Sequence, residues 1–255
     1  MTYCVSISIE AGLVFVSDSR TNAGVDNIST YSKMHTFGVP GERQFVVLSS
    51  GNLATTQAVI GHINKDIHQF APVNLMTVPH LSDAADYVGR VNREQQEKQT
   101  GGGTAFEASF IIGGQIQGGR PESYLIYPQG NHITTSDDTP FLQIGESKYG
   151  KPILDRILTP ASTLETAALC ALVSMDSTMR SNITVGPPIE VMVYERDSLV
   201  LGRHYRFEDS SEYLRELKKS WDAKLKEAFN SLPPIAWSAN WDGLATDQSG
   251  GKAGN

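Results

Sequence analysis

Cysteine is scarce in this sequence. Only two cysteines, Cys4 and Cys170, occur in 255 residues. They are too few and too far apart to form a disulfide framework or a zinc site, and the histidines show no spacing typical of metal ligands. We therefore expect a reducing, cytoplasmic environment, and we expect neither a metal ion nor a cofactor.

Basic residues and long apolar runs are also few. The chain has 21 Lys and Arg residues against 28 Asp and Glu residues, which gives a net charge of −7. It therefore has no excess positive charge to neutralise nucleic acid or an anionic membrane surface. No apolar run approaches the roughly 20 residues needed to span a bilayer, and no basic residue precedes Arg20, as a secretion signal would require. Neither nucleic acid nor a membrane is an expected partner.

Strands and helices are predicted in separate groups along the chain. The strands fall between pairs of helices, which indicates an α+β fold rather than the alternation of a parallel βαβ sheet. We assign one domain, residues 1–207, followed by a C-terminal helix and tail, residues 208–255. Periodicity and turn residues predict strands at 3–9, 13–19, 33–38, 44–49, 107–113, 122–127, 139–144, 189–194 and 199–205, and helices at 53–68, 82–98, 151–158, 163–179 and from Asp209 onward.

One segment has the spacing of a phosphate-binding loop. Residues 145–151 read GESKYGK and lie between a predicted strand and a predicted helix. The next residue is Pro152, where a Ser or Thr hydroxyl would hold Mg²⁺, and Glu146 would place negative charge beside the phosphates. A loop that enters a helix with proline in its first turn is the favoured interpretation, and nucleotide binding is the weaker alternative.

The amino terminus has chemistry of its own. Thr2 follows the initiator Met1, and removal of Met1 would leave a free α-amine beside a secondary hydroxyl. The α-amine has an ordinary pKa of about 7.7–8.0, against about 10.4 for a lysine amine, so a neutral fraction could accept the hydroxyl proton at cytoplasmic pH. A single residue would then supply both a nucleophile and a base. A terminal threonine alone indicates little, so the residues around it decide whether it is a candidate nucleophile.

The predicted hairpin brings charged residues to this terminus. A turn near residue 11 places residue 2 opposite residues 18–20, so Asp18 and Arg20 lie beside Thr2 on one side of the strand. The next strand begins with Lys33. A buried ammonium there would lower the pKa of the amine and of the hydroxyl, and Asp18 would pair with the ammonium and orient it.

Acyl transfer also requires donors for an oxyanion. The dipeptide Ser50-Gly51 ends an apolar strand just before a helix, where free backbone N–H groups point outward and glycine permits close approach. The Gly51 N–H is the candidate donor. A strand-to-helix turn that needs only flexibility is the alternative.

Taken together, these residues resemble the β-subunits of the proteasome, which are N-terminal nucleophile hydrolases. The resemblance is closest to the bacterial ancestral β-subunit family, Anbu, and runs from residue 1 to about residue 240. It depends on the strings MTYCV, SDSRTNAGVDN, YSKM, QIGESKYGKPILDR and MRSNITVG.

The resemblance implies a four-layer αββα sandwich, in which two antiparallel sheets stack between helical pairs, with a C-terminal helical extension. It also implies a threonine hydrolase for peptide bonds or similar amides, and self-association into a multi-subunit assembly. By matching positions, Thr2 would be nucleophile and base, Lys33 the pKa-lowering cation, Asp18 its partner, Arg20 an organiser and Gly51 the oxyanion donor.

Two departures from the proteasomal pattern affect the expected activity. The usual pattern has serine after glycine where this chain has Glu146. The usual R-D-x-x-S-G-G reads RSNITVG here, so Ser181 replaces aspartate and Thr184 takes the serine position. All three positions belong to the candidate catalytic set, and the changed charges leave a second hypothesis open. In that hypothesis the chain is an assembly or scaffold protein with the same fold and little or no turnover.

The C-terminal segment has an apolar stripe of its own. Asp209 and Glu212 have the spacing of a capping box, and the helix they open has Leu214, Leu217, Trp221 and Leu225 on one side, with Trp237 and Trp241 following in the tail. The stripe could cover this subunit's own sheet or contact another subunit.

Overall fold

Two five-stranded antiparallel sheets form the centre of the fold. A computed structural model describes residues 1–22, 28–98 and 104–233. The first sheet has the strand order β10-β1-β2-β11-β12 and the second has the order β5-β6-β7-β8-β9, while β3 and β4 pair separately. The strands are β1 Tyr3–Ile9, β2 Gly12–Asp18, β3 Arg20–Asn22, β4 Ile28–Thr30, β5 Met34–Val39, β6 Arg43–Gly51, β7 Ala108–Ile116, β8 Glu122–Ile126, β9 His132–Thr134, β10 Phe141–Gly145, β11 Ile189–Glu195 and β12 Arg203–Phe207.

Helices cover the outer faces of both sheets. They are α1 Leu53–His68, α2 Leu81–Glu97, α3 Ser147–Ile157, α4 Leu164–Ser181 and α5 Glu212–Asn230. Alternate residues of a strand point to opposite faces, so each sheet contributes to two apolar cores. Phe15, Leu48 and Ile111 belong to the core between the sheets, whereas Val47 and Ile112 pack against α1 and α2. Helix α4 packs on β1 and β2 beside α3. The four-layer αββα sandwich is confirmed.

The first two strands form the predicted hairpin. Cys4 lies opposite Ser17 and Ile9 opposite Gly12. Gly12 has a φ of +146°, and a Cβ there would lie 2.1 Å from the Tyr194 carbonyl oxygen, so the turn requires glycine. This register puts the end of β2 beside the start of β1.

Several predicted boundaries are wrong. Helix α3 begins at Ser147 instead of 151, so Pro152 lies in its second turn rather than its first. The last strand of the sheet covers Arg203–Phe207 instead of 199–205. Helix α5 begins at Glu212, and the Leu214 N–H donates to the Ser211 hydroxyl at 3.4 Å, so Ser211 rather than Asp209 caps it.

The chain divides into a compact unit, Met1–Leu214, and a second unit, Arg215–Asn255. The division predicted after residue 207 stays a prediction. None of the residues of α5 is buried, and Trp237 and Trp241 lie outside the described residues. Among the helices that the structure describes, none is both long and apolar enough to cross a membrane.

Candidate active site

Thr2 lies immediately before β1 and is 9% exposed. Its carbonyl oxygen accepts a hydrogen bond from the Glu146 N–H at 2.8 Å. The residue before Glu146 is Gly145, which has a φ of +83°, and a Cβ there would lie 1.9 Å from the Thr2 carbonyl oxygen. The end of β10 therefore approaches the chain terminus so closely that only glycine fits.

Tyr3 fixes the start of β1 from the other face of the sheet. Its hydroxyl lies 2.6 Å from the Ser174 hydroxyl on α4 and accepts from the Gln143 amide at 2.6 Å. Burial raises the pKa of Tyr3 to about 12, so the phenol stays neutral and keeps its hydrogen at physiological pH. Thr2 is thus held between a glycine turn and a buried tyrosine anchor.

Asp18 and Lys33 form a buried ion pair next to this terminus. The Lys33 Nζ lies 2.8 Å from the Asp18 Oδ1 and also donates to the Arg20 carbonyl oxygen at 2.6 Å. Asp18 is fully buried and Lys33 is 6% exposed. The Asp18 Oδ1 accepts from the Tyr3 N–H at 3.0 Å, which ties the pair to the residue after Thr2.

The environment of Asp18 contains opposing influences on its ionisation. Burial raises the pKa of its carboxyl, while the Lys33 ammonium and the N–H groups of Tyr3 and Gly186 act to lower it. Each of those donors favours the charged carboxylate. The pair is therefore arranged to hold an ammonium, with its counter-ion, in a low-dielectric interior.

Arg20 organises the loop that follows α4. Its guanidinium donates to the Ile183 carbonyl oxygen at 2.8 Å. A Cβ on Gly186 would lie 2.4 Å from the Arg20 Cζ, and the Gly186 N–H donates to Asp18 at 3.3 Å. Arg20 thus packs on the loop that closes over the acidic side of the ion pair.

Thr2, Lys33, Ser50 and Gly51 line one cavity of about 570 Å³. Gly51 is exposed, ends β6 and has a φ of +112°. A Cβ there would lie 2.3 Å from the Glu107 carbonyl oxygen, so glycine is required. Asn52 follows as the N-cap of α1 and accepts from the Thr55 N–H at 3.1 Å. Met1, which is 64% exposed, also lines this cavity.

One face of α1 forms a wall of the cavity, and sequence reasoning missed it. The residues of this wall are three or four positions apart, so they share one face of the helix. That spacing was the sequence feature that could have identified them as one surface. They are Leu53, Thr56, Gln57, Ile60, Gly61 and Asn64. His35 lines the same cavity, and burial lowers the pKa of its ring. No Asp or Glu occurs among the described residues that line it.

Five of the predicted site residues do not line the cavity. Asp18 and Arg20 are two of them and act on it through Lys33, to which both bind, and the other three are Glu146, Ser181 and Thr184. Glu146 is the half-buried N-cap position of α3, and its backbone N–H donates to the Thr2 carbonyl oxygen. Ser181 is exposed at the end of α4. The Thr184 hydroxyl donates to the Asn182 side-chain oxygen at 2.6 Å. Glu146 lies at the start of α3, whereas Ser181 and Thr184 lie at the end of α4 and in the loop after it. The catalytic roles of all three residues stay predictions.

A larger cavity of about 680 Å³ lies along α2, and it contains none of the predicted site residues. Among the residues that the structure describes, no group of three or more His, Cys, Asp or Glu side chains could hold a metal ion. We therefore assign the candidate site to the smaller cavity, where Thr2 and the hydrogen-bonded ammonium of Lys33 occur together.

Comparison with known proteins identifies the family and the fold to which this chain is similar. The family model described as proteasome subunit matches residues 2–194. No curated protein matches the chain. An Anbu (ancestral β-subunit) structure from Yersinia bercovieri is 46% identical, with a TM-score of 0.88, over 92% of this chain and 99% of that one.

Two further solved structures are similar to this chain. An Anbu (Gly-1) mutant from Hyphomicrobium sp. strain MC1 is 48% identical over 92% of this chain and 99% of that one, with a TM-score of 0.87. A structure described as the helical assembly of the Anbu complex from Pseudomonas aeruginosa is 49% identical, with a TM-score of 0.89. That match covers 94% of this chain and 100% of the other.

Proposed function

Because this chain belongs to the Anbu family of proteasome subunits, we propose that it is an N-terminal threonine hydrolase that cleaves peptide bonds or similar amides. One observation is central to the proposal. Thr2 shares a cavity with Lys33, whose ammonium is fixed by two hydrogen bonds, to Asp18 and to the Arg20 carbonyl. A positive charge held there lowers the pKa of a nearby amine and of a nearby hydroxyl.

The proposed reaction begins after Met1 is removed. The neutral Thr2 α-amine takes the proton of its own hydroxyl while Oγ1 attacks the substrate carbonyl carbon. The tetrahedral oxyanion accepts a hydrogen bond from the Gly51 N–H. The α-ammonium of Thr2 formed in this step then gives the proton to the leaving amine of the substrate. The amine departs and leaves an ester on Thr2. Water, deprotonated by the same amine, hydrolyses the ester and restores the hydroxyl.

A β-lactone tests this proposal. Ring opening by the Thr2 hydroxyl adds the full mass of the lactone, because no group leaves. We expect one adduct on the N-terminal peptide of the Met1-free protein, and none in Thr2→Ala. Thr36→Ala is the matched control, because Thr36 is an exposed threonine on β5, and it should label like the parent protein.

Absence of the adduct in mature protein, together with no amide turnover that Thr2→Ala abolishes, would leave the assembly or scaffold hypothesis in place of the hydrolase. Glu146 and Ser181 would then be the first positions to restore toward the proteasomal pattern. Nucleotide binding at residues 145–151 stays a weaker alternative, since Ser147–Lys151 are the first residues of α3 and Pro152 lies within it.

We further propose that the chain self-associates into a multi-subunit assembly. The Pseudomonas aeruginosa relative is described as a helical assembly, and the apolar side chains of α5 are unburied here, with Leu225 48% and Phe229 73% exposed. Cys4 and Cys170 are free and buried, which suits a reducing cytoplasm.

A further inference from the structure

Glu190 is a second buried carboxylate on the strand beside Asp18. It lies in β11 within the apolar run IEVMVYE and is 4% exposed. Glutamate is rarely buried to this extent unless it is paired, because removing a charge from water is costly. The sequence offers a simple indication that Glu190 is paired, since it lies among the buried apolar residues at 189 and 191–194.

Glu190 has polar partners on both sides of β11, in β12 and just after the end of β2. Its Oε1 accepts from the Ser19 hydroxyl at 3.1 Å. The Arg206 guanidinium lies 3.5 Å from Oε1, and the His204 Nε2 lies 3.2 Å from Oε2. Both of these side chains belong to β12 and are more than two-fifths exposed. The carboxylate therefore has basic partners on the solvent side and the Ser19 hydroxyl on the buried side.

Ser19 lies between the two groups that bind Lys33. The residue before it is Asp18, whose carboxylate accepts from Lys33, and the residue after it is Arg20, whose carbonyl oxygen also accepts from Lys33. A rotation of the backbone at Ser19 would move both acceptors. The backbone of Ser19 is fixed as well, because its carbonyl accepts from the Tyr31 N–H at 3.0 Å.

The hydrogen bond to Ser19 is selective. In the ladder between β2 and β11, the residue directly opposite Glu190 is Ser17. The Ser17 hydroxyl is buried and has no hydrogen-bond partner within the described part of the chain. The carboxylate thus accepts from the serine that lies between the two Lys33 acceptors, and not from Ser17, its partner in the ladder.

We propose that Glu190 is a positioning residue of the threonine site, which holds Ser19 so that the Asp18 carboxylate and the Arg20 carbonyl stay placed to bind Lys33. The expected effect of Glu190 on the reactivity of Thr2 rests on the proposed hydrolase function. The expected effect of Glu190 on the position of Lys33 does not depend on whether the protein hydrolyses a substrate. Glutamine at position 190 can still accept from Ser19, and threonine at position 19 can still donate, so conservative variants should preserve the function.

Two measurements test the proposal on the full-length chain. The first is acetylation of the Lys33 amine by an N-hydroxysuccinimide ester, measured on the peptide that contains it. The second is the rate of β-lactone addition to Thr2. We expect Glu190→Ala and Ser19→Ala each to raise the acetylation rate of Lys33 at least tenfold and to lower lactone addition at least tenfold. Glu190→Gln and Ser19→Thr should stay within threefold of the parent protein.

Glu195→Ala is the matched control, because Glu195 lies at the end of β11 and pairs with Arg203 of β12 at 3.9 Å. It should leave both rates unchanged. Parent-like acetylation of Lys33 in Ser19→Ala and Glu190→Ala would overturn the proposal, as would Glu190→Gln being as reactive as Glu190→Ala. If the parent protein does not react with the lactone, the hydrolase fails, while Lys33 acetylation still decides the positioning role. If Glu190→Ala does not fold, the acetylation rate of Lys33 in Ser19→Ala decides the positioning role.

Discussion

Lys33 carries a positive charge in the interior of the fold, where only 6% of the lysine is exposed to solvent. The desolvation of such an ion costs several kcal/mol, so the charge persists only where partners surround it. Asp18 and the Arg20 carbonyl supply those partners. The same arrangement that would tune Thr2 therefore also determines the stability of the strand ends around it.

Loss of either charge should be costly. Because the remaining charge would be buried without its counter-ion, we expect Lys33→Met and Asp18→Asn each to lower the free energy of unfolding by about 3–5 kcal/mol. The double variant should lose clearly less than the sum of the two, because no orphaned charge remains. Urea denaturation followed by circular dichroism measures all three.

Lys151→Met is the control for this pair. Lys151 bonds to Asp155 on the surface of α3, with both side chains more than two-fifths exposed, and such pairs contribute about 1 kcal/mol or less. Additivity of Lys33→Met and Asp18→Asn within about 0.5 kcal/mol would show that the two charges are not coupled.

Local sequence indicated part of this residue-scale arrangement. A short hairpin fixes which residues oppose one another, so the approach of Asp18 to the terminus followed from the turn near residue 11. Glu190 and Ser19 were missed because their contact depends on the register between β2 and β11, which are separated by most of the chain. No local pattern contains that register.

Among the elements, the end of β10 leaves no room for a side chain. Gly145 lies opposite Tyr3 in the ladder, and its Cα packs on the Thr2 carbonyl. Sequence alone predicted the strand and the helix after it, but placed the helix start four residues too late. Gly150 and Pro152 suggested a loop there, whereas packing of α3 on α4 extends the helix back to Ser147. Tertiary contacts override weak local propensity in this way.

Gly145→Ala should damage the site more than the same change at Gly118. Gly145 has a φ of +83° and Gly118 has a φ of +84°, but a Cβ on Gly118 meets no atom within 4 Å. Gly118→Ala should therefore cost only the roughly 1–2 kcal/mol of a left-handed residue.

Gly145→Ala must in addition displace Thr2, so we expect a larger loss of stability and at least a tenfold slower lactone addition. Thermal unfolding and the labelling rate measure the two effects. Equal behaviour of the two variants would contradict the close approach of β10 to Thr2.

At the scale of the whole molecule, the αββα unit was predictable and its short elements were not. The segregation of strand groups from helix pairs indicated the layers. Strands β3, β4 and β9 have three residues each, too few to show a period. The stripe on α5 was visible, but a helical pattern does not identify the surface that covers it.

Self-association through α5 predicts a change of mass with a single substitution. Leu225→Lys places a charge in the exposed stripe, so we expect mass photometry to show a shift from assemblies toward the 27.8 kDa chain. Lys224→Ala is the control, because Lys224 is 71% exposed and pairs with Glu227 on the surface of the helix, and it should assemble normally. Unchanged assembly in Leu225→Lys would place the subunit contact elsewhere.

The central claim is that Thr2 acts as nucleophile and base together, and a peptide epoxyketone measures this most directly. Such a reagent can close a ring only where a hydroxyl and a free primary amine on adjacent carbons both react with it. Mass spectrometry of the N-terminal peptide should show Met1 absent and the inhibitor joined to both Oγ1 and the α-nitrogen of Thr2. An N-terminal peptide that keeps Met1, or a Met1-free peptide without this ring, would contradict the account.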